Sequence, residues 1–184
     1  MRSCLRLPNL HLPSLHLFRP RLGRLHAAGA LLGALLVSPG ALAEVSEAAP
    51  APPADCTGPE SATWLKVVVE NVRSNEGLIA ITLYADDSSR FLVKHGSMYV
   101  GRTKAVAGTT EGCIFVPKPG IYALAIYHDA NGNLKFDRTG IGLPAEAYGF
   151  SNNASTFFGL PSFRSVRINV AHSGMTTHIR LKYP

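Results

Sequence analysis

Apolar residues recur at every second position over several short stretches of this chain, the period expected of half-buried β-strands. In residues 64–72, Leu65, Val67 and Val69 share one face and Lys66 and Glu70 lie opposite. The turn-forming run Arg73-Ser74-Asn75-Glu76-Gly77 separates this strand from a second at 78–84, so the two are expected to pair as a hairpin. A loop opens at Asp86, and Phe91 and Leu92 are expected to dip from it into the core. Residues 98–107 give a weaker strand and 112–116 a fourth. Pro117-Lys118-Pro119-Gly120 is a turn, because its prolines cannot donate to a ladder. The most continuous apolar run, 121–128, is expected to be a central strand. Residues 165–170 alternate strictly. In 175–183, Met175, Thr177, Ile179, Leu181 and Tyr183 face in, while His178, Arg180 and Lys182 face out, the pattern of an antiparallel strand with one wet face. About seven short strands, with no amphipathic helix of useful length, predict an all-β fold over 63–184. The architecture that buries both strand sets is an antiparallel β-sandwich of immunoglobulin or transthyretin type.

One stretch breaks the rhythm. Residues 128–161 form a loop long enough that it must be functional, disordered or pinned. Phe136, Ile141, Leu143, Tyr148, Phe150, Phe157, Phe158, Leu160 and Phe163 are too apolar to be left in water, which predicts an ordered loop. Oxygen-bearing side chains stand at alternate positions along it. With Asp129 as position 1 of a calcium loop, Asn131, Asn133 and Asp137 occupy positions 3, 5 and 9, and the Lys135 carbonyl falls at position 7. A hard cation needs several oxygens at short range, and alternate side chains on a tight turn converge on one point. Two positions depart from the pattern: Leu134 stands where the sharp turn normally has Gly, and Gly140 where a bidentate Glu is usual. Glu146 is a candidate for that carboxylate from further along. The same residues have a second reading, in which Asp129, Asn131 and Asn133 form Asx turns and cap their own backbone.

Several segments resemble a known family. Asn71-Val72-Arg73-Ser74, Pro119-Gly120-Ile121-Tyr122-Ala123, His128-Asp129-Ala130-Asn131-Gly132-Asn133, Gly142-Leu143-Pro144-Ala145-Glu146 and Gly149-Phe150-Ser151-Asn152-Asn153 look like the exported bacterial family catalogued as domain of unknown function 2141. The resemblance spans residues 64–184. It implies an exported β-sandwich and brings no activity with it.

Charge and cysteines change the picture in one direction. The formal charge is +6, which invites a nucleic-acid reading. Five of the 18 basic side chains precede residue 44 and no acidic one does, so the rest of the chain holds 13 against 12, a net of +1. The excess belongs to a leader, and no nucleic-acid partner is expected. That leader, 1–43, has the parts of a signal peptide: a basic region, the apolar run 27–37, a Ser38-Pro39-Gly40 break, and small residues at Ala41-Leu42-Ala43 for cleavage. The apolar run is short of the ~20 residues a bilayer span needs, so no stable membrane anchor is expected. Residues 44–62, rich in Ala, Pro, Ser and Glu, read as a flexible linker. Export to the periplasm or the medium puts Cys56 and Cys113 in an oxidising compartment, where a disulfide is expected.

Two functional classes remain. The first is a non-catalytic envelope module that stiffens its loop with calcium and contacts a protein or glycan, with His128, Ser151, Asn152 and Asn153 on the loop surface. The second is a hydrolase or lyase using His128, Asp129 and Glu146. Against the second, neighbours on a strand point to opposite faces, so His128 reads better as a strand-end residue bonding a loop carbonyl. Ser151 lacks a Gly-x-Ser-x-Gly elbow, so with Asn152 and Asn153 it has a second reading as a hydrogen-bonded loop corner, and no His or Cys pair stands at zinc spacing.

Overall fold

The computed structural model describes residues 50–156 and 159–184. The expected leader, the linker as far as residue 49, and Phe157 and Phe158 lie outside the described residues. Eight strands are described: β1 (Thr63–Val72), β2 (Leu78–Ala85), β3 (Tyr99–Lys104), β4 (Gly108–Val116), β5 (Gly120–Asp129), β6 (Tyr148–Phe150), β7 (Arg167–Val170) and β8 (Met175–Arg180). One helical turn, α1 (Phe163–Val166), precedes β7. The strands form two sheets. One has the order β4-β1-β8; the other runs β3-β2-β5, with β6 and β7 both on the far edge of β5. The expected all-β sandwich is therefore the fold, with one strand more than the alternation showed, because β6 is only three residues long and sits inside the long loop.

The two sheets meet through their period-two faces. Leu65, Val67 and Val69 of β1, Ile114 and Val116 of β4 and Ile179 of β8 pack on Ile79, Ile81 and Leu83 of β2 and Leu124 and Ile126 of β5. All of these are essentially inaccessible to water. At roughly 1.5–3 kcal/mol per buried aliphatic side chain, this layer is the main source of stability. The outer face of the five-stranded sheet is also partly covered. Tyr84, Phe91, Ala123, Phe150, Ala154 and Val166 form a second cluster there, and Phe91 fills it as expected. Trp64 lies on the outer face of the other sheet with Cys113 and Phe115.

Three expectations are corrected. Strands β1 and β2 do not pair as a hairpin: β1 pairs with β4 and β8, β2 with β3 and β5. A bulge between Glu70 and Val72, and Asn71 in the left-handed region (φ 65), swing the chain across the core instead. The Asn71 amide holds that corner by donating to the Leu181 carbonyl at 2.8 Å. Strand β8 alternates as expected but runs parallel to β1, since alternation reports which face is wet and not chain direction. Finally, the described part of the expected linker, residues 50–62, is fastened to the domain. The Thr57 N–H donates to the Cys113 carbonyl and the Phe115 N–H to the Thr57 carbonyl, at 3.0 and 2.9 Å, and the Trp64 indole donates to the Pro50 carbonyl at 3.0 Å. The Cys56–Cys113 disulfide is formed beside these bonds.

The edge of β5 shows why Gly149-Phe150-Ser151-Asn152-Asn153 takes its shape. Strand β6 pairs with Ala125–Tyr127 and β7 with Gly120–Ala123, which leaves Leu124 facing a gap in the ladder. The Ser151 hydroxyl fills the gap. It accepts from the Leu124 N–H at 3.0 Å and donates to the Val166 carbonyl in a short hydrogen bond. Asn152 and Asn153 follow in left-handed conformations, which Asn tolerates. The Asn152 amide donates to the Arg167 carbonyl at 2.8 Å, and the Asn153 side-chain oxygen accepts from the Arg180 N–H of β8 at 2.7 Å. This corner therefore closes the five-stranded sheet and fixes it to the other one.

Two outcomes follow from these bonds. Replacing both Cys56 and Cys113 with Ser is expected to lower unfolding free energy by about 4 kcal/mol, the loop-closure value for a 57-residue separation, as read from denaturant midpoints. Ser151→Ala orphans a buried N–H and a buried carbonyl, and should lower it by roughly 2–4 kcal/mol in the same assay.

Candidate functional site

Strand β5 delivers Asp129 to the rim of the sandwich, paired with Leu78 at the start of β2. Gly77 (φ +67) packs so closely there that a Cβ on it would overlap the Asp129 carbonyl. The Asp129 carboxylate is fully buried. It accepts from the Asn133 N–H at 3.0 Å and from the Leu134 N–H at 2.8 Å, one bond to each oxygen. These two bonds curl the chain back on itself. Leu134 takes the left-handed conformation (φ 65) that a calcium loop normally assigns to Gly, and its side chain points to solvent. The Arg102 guanidinium donates to its carbonyl at 3.3 Å.

Inside the curl the amides converge. The Asn131 and Asn133 side chains both donate to one oxygen of Asp137, each at 2.8 Å. Their own oxygens accept from the Asn133 and Lys135 N–H groups at 3.0 and 2.8 Å, so the Asx-turn reading describes the bonding that is present. Beyond Asp137 the chain makes a small hairpin, with Arg138 bridging Pro144 and the Ala145 N–H donating to the Asp137 carbonyl at 2.9 Å. That hairpin returns Glu146 to Asp137, where its Oε2 accepts from the Asp137 N–H at 3.0 Å. Its Oε1 is buried with no partner among the described residues. Burial pushes the Glu146 carboxyl above its usual range; the Asp137 N–H opposes this, the Asp137 and Asp129 charges add to it, and the His128 ring opposes.

The other predicted residues are divided by the fold. His128 lies buried, not on the loop surface, because it shares the core-facing side of β5 with Leu124 and Ile126. Its Nε2 donates to the Glu76 carbonyl at 2.8 Å. Ser151 is also buried, in the ladder gap of β5, while Asn152 and Asn153 are exposed. Lys135 is exposed at the tip of the curl. Of the loop's apolar residues, Phe150 is buried and Phe136, Tyr148 and Phe163 are half-buried. Ile141, Leu143 and Leu160, expected inside, are 84%, 58% and 66% exposed. Two participants have no local sequence signal. Arg102 of β3 and Tyr127 of β5 sit in one row on either side of Ala80, which places both on the outer face of the five-stranded sheet. Only the strand register brings them together.

As an acid–base pair, His128 and Asp129 are poorly placed. The ring nitrogen and both carboxylate oxygens already serve backbone groups, and the two side chains leave β5 on opposite faces. As a ligand set for a hard cation, the loop offers oxygens of the right chemistry: three carboxylates, two amides and the Lys135 carbonyl. No group of three or more His, Cys, Asp and Glu side chains among the described residues is arranged to hold a metal by itself, so a cation held here would draw on the amides and the carbonyl as well. The buried, unpartnered Glu146 oxygen is the feature that fits a cation. A carboxylate bound on one side by an N–H and on the other by nothing is incomplete.

Among the described residues no helix is long and apolar enough to cross a membrane. No curated protein and no solved structure matches the chain. A family model does match residues 67–178, from the middle of β1 to the middle of β8, and so takes in both sheets, the curl and the Ser151 corner. The chain belongs to the family described as uncharacterized protein conserved in bacteria (DUF2141).

Proposed function

We propose that this domain is an exported, non-catalytic β-sandwich module of the periplasm or the medium, whose loop 129–146 binds calcium and presents its tip to a partner of the cell envelope. The unpartnered Glu146 oxygen carries the reading. The Asp137 and Asp129 carboxylates both act on Glu146 electrostatically, and each adds to the upward push that burial gives its carboxyl. A divalent cation supplies the missing charge and the missing partner together. The disulfide supports export, since such bonds persist in oxidising compartments. The tip supports contact with a protein surface more than with a glycan, because Leu134, Ile141 and Leu143 are all large, apolar and exposed along it.

Calcium at about 100 times its dissociation constant should stabilise the oxidised protein by about 2.7 kcal/mol, a rise in melting temperature on the order of 10 °C over the chelated sample. Glu146→Gln keeps the shape and removes the charge. In chelator it should melt no lower than the wild type at pH 7, because a carboxyl with a raised pKa contributes stability only while protonated and loses it as pH rises through that value. In calcium, the variant should lose most of the shift. A melting temperature indifferent to calcium sinks the cation reading.

His128→Ala separates the binding module from the hydrolase. The module reading expects a loss of roughly 2–4 kcal/mol, since a buried ring is removed and the Glu76 carbonyl is orphaned. The hydrolase reading expects a stable protein that has lost turnover.

A further inference from the structure

The outer face of the five-stranded sheet holds a concavity that the cation reading does not use. Its floor is a cross-strand pair of small residues, Thr82 of β2 opposite Ala125 of β5. Larger side chains flank them on the same face, Tyr84 two residues beyond Thr82 and Tyr127 two beyond Ala125. Above this floor, the hairpin after the curl contributes one wall and β6 the other. The resulting cavity has a volume of about 560 Å³, within the range of small-molecule sites. Its aromatic walls interlock. Phe136 meets Tyr127 at 5.4 Å and Tyr148 at 6.2 Å between ring centroids, all in tilted or edge-on geometry. These rings brace one another, so the wall does not depend on an occupant for its shape.

Charge decides what would enter. Among the described residues, Arg138 is the one charged residue on the lining. Its guanidinium lies 5.1 Å over the Phe136 ring and donates one bond, from Nη1 to the Gly142 carbonyl at 2.9 Å. No carboxylate among the described residues stands within ion-pair distance of it. A guanidinium has five N–H donors in a fixed fork that matches a carboxylate. The mouth is apolar as well, with Leu143 and Leu160 both on the lining and both mostly exposed. An apolar trough with a single cation at its edge suits a body without polar groups and one anionic head.

We propose that this cavity binds an anionic amphiphile, a fatty carboxylate whose chain lies over Thr82 and Ala125 and whose head meets Arg138. The proposal goes beyond the cation reading and stands on different residues, although the hairpin that follows the curl forms one wall. The test titrates the full exported chain with cis-parinaric acid, a fluorescent fatty carboxylate, and then displaces it with dodecanoate or dodecyltrimethylammonium. Saturable binding is expected, with dodecanoate displacing the probe at a concentration at least 10-fold lower than the cationic analogue. Arg138→Gln should weaken dodecanoate about 10-fold and reduce the preference for the anion, in a protein that still melts cooperatively, with only the small loss of stability that an exposed hydrogen bond and ring contact carry. Ala125→Leu should abolish probe binding by filling the floor; where that variant melts early, Thr82→Leu replaces it. Absence of binding to the wild type, equal displacement by both detergents, or undiminished binding in a folded filled-floor variant would each overturn the proposal. The titration is run in calcium and in chelator. A protein that binds the probe but shows no calcium-dependent melt retains the cavity and loses the cation site, and the converse result does the reverse.

Discussion

A single buried carboxylate sets the terms for the rest of this loop. Asp129 is fully removed from water at the end of the central strand, and an ionised carboxylate so placed is costly unless it is hydrogen-bonded. The partners it takes are the N–H groups of Asn133 and Leu134. Both lie a few residues downstream, so satisfying the charge forces the chain into a curl. The curl in turn aims Asn131 and Asn133 at Asp137, and the following hairpin returns Glu146 to the same place. Each step removes one unsatisfied group and adds acidic charge. The sequence of compensations ends at the Glu146 oxygen, where no described side chain or backbone group answers.

The sandwich makes that arrangement possible by fixing both ends of the loop on one strand. Asp129 ends β5, and β6 returns alongside Ala125–Tyr127 of the same strand. The loop is therefore anchored within a few residues at its root. Strand β6 also bonds Lys182 through a reciprocal pair of N–H to carbonyl bonds at 2.9 and 2.8 Å, which locks the root to the second sheet. Gly149 allows this approach, since a Cβ there would lie 2.9 Å from both the Arg180 carbonyl oxygen and the Ile179 side chain. The root is thus bonded to both sheets, while Leu134, Ile141 and Leu143 stand exposed at the tip.

Much of the scaffold was legible from alternation alone, because the two sheets bury one face of most strands and water covers much of the other. The faces of β1 and β8 were readable in this way, the central place of β5 from its continuous apolar run, and the Cys56–Cys113 bridge from the export leader and the pair of cysteines beyond it. What alternation cannot encode is which strands are neighbours. The run from Arg73 to Gly77 looks like a hairpin turn, yet the chain crosses to the other sheet there, because the bulge before Val72 and the Asn71 corner turn it. Ser151, Asn152 and Asn153 could be read as a hydrogen-bonded corner, but the partners of that corner could not, for a related reason. A serine that replaces a ladder partner for Leu124 is defined by β6 and β7 sharing one edge, a fact of topology and not of local sequence. Spacing marked Asp129, Asn131, Asn133 and Asp137, whereas the place of Glu146 needed the Arg138–Pro144 hairpin to be seen.

The central claim is that the Glu146 oxygen is half of a cation site, and diffraction tests it most directly. Crystals of the oxidised domain grown in calcium, measured at a wavelength where calcium scatters anomalously, should show a peak bounded by Asp129, Asp137 and Glu146. Glu146 Oε1 should then stand about 2.3–2.6 Å from the peak. Difference density showing only a water on Glu146 Oε1, with no anomalous signal in the curl, would contradict the account.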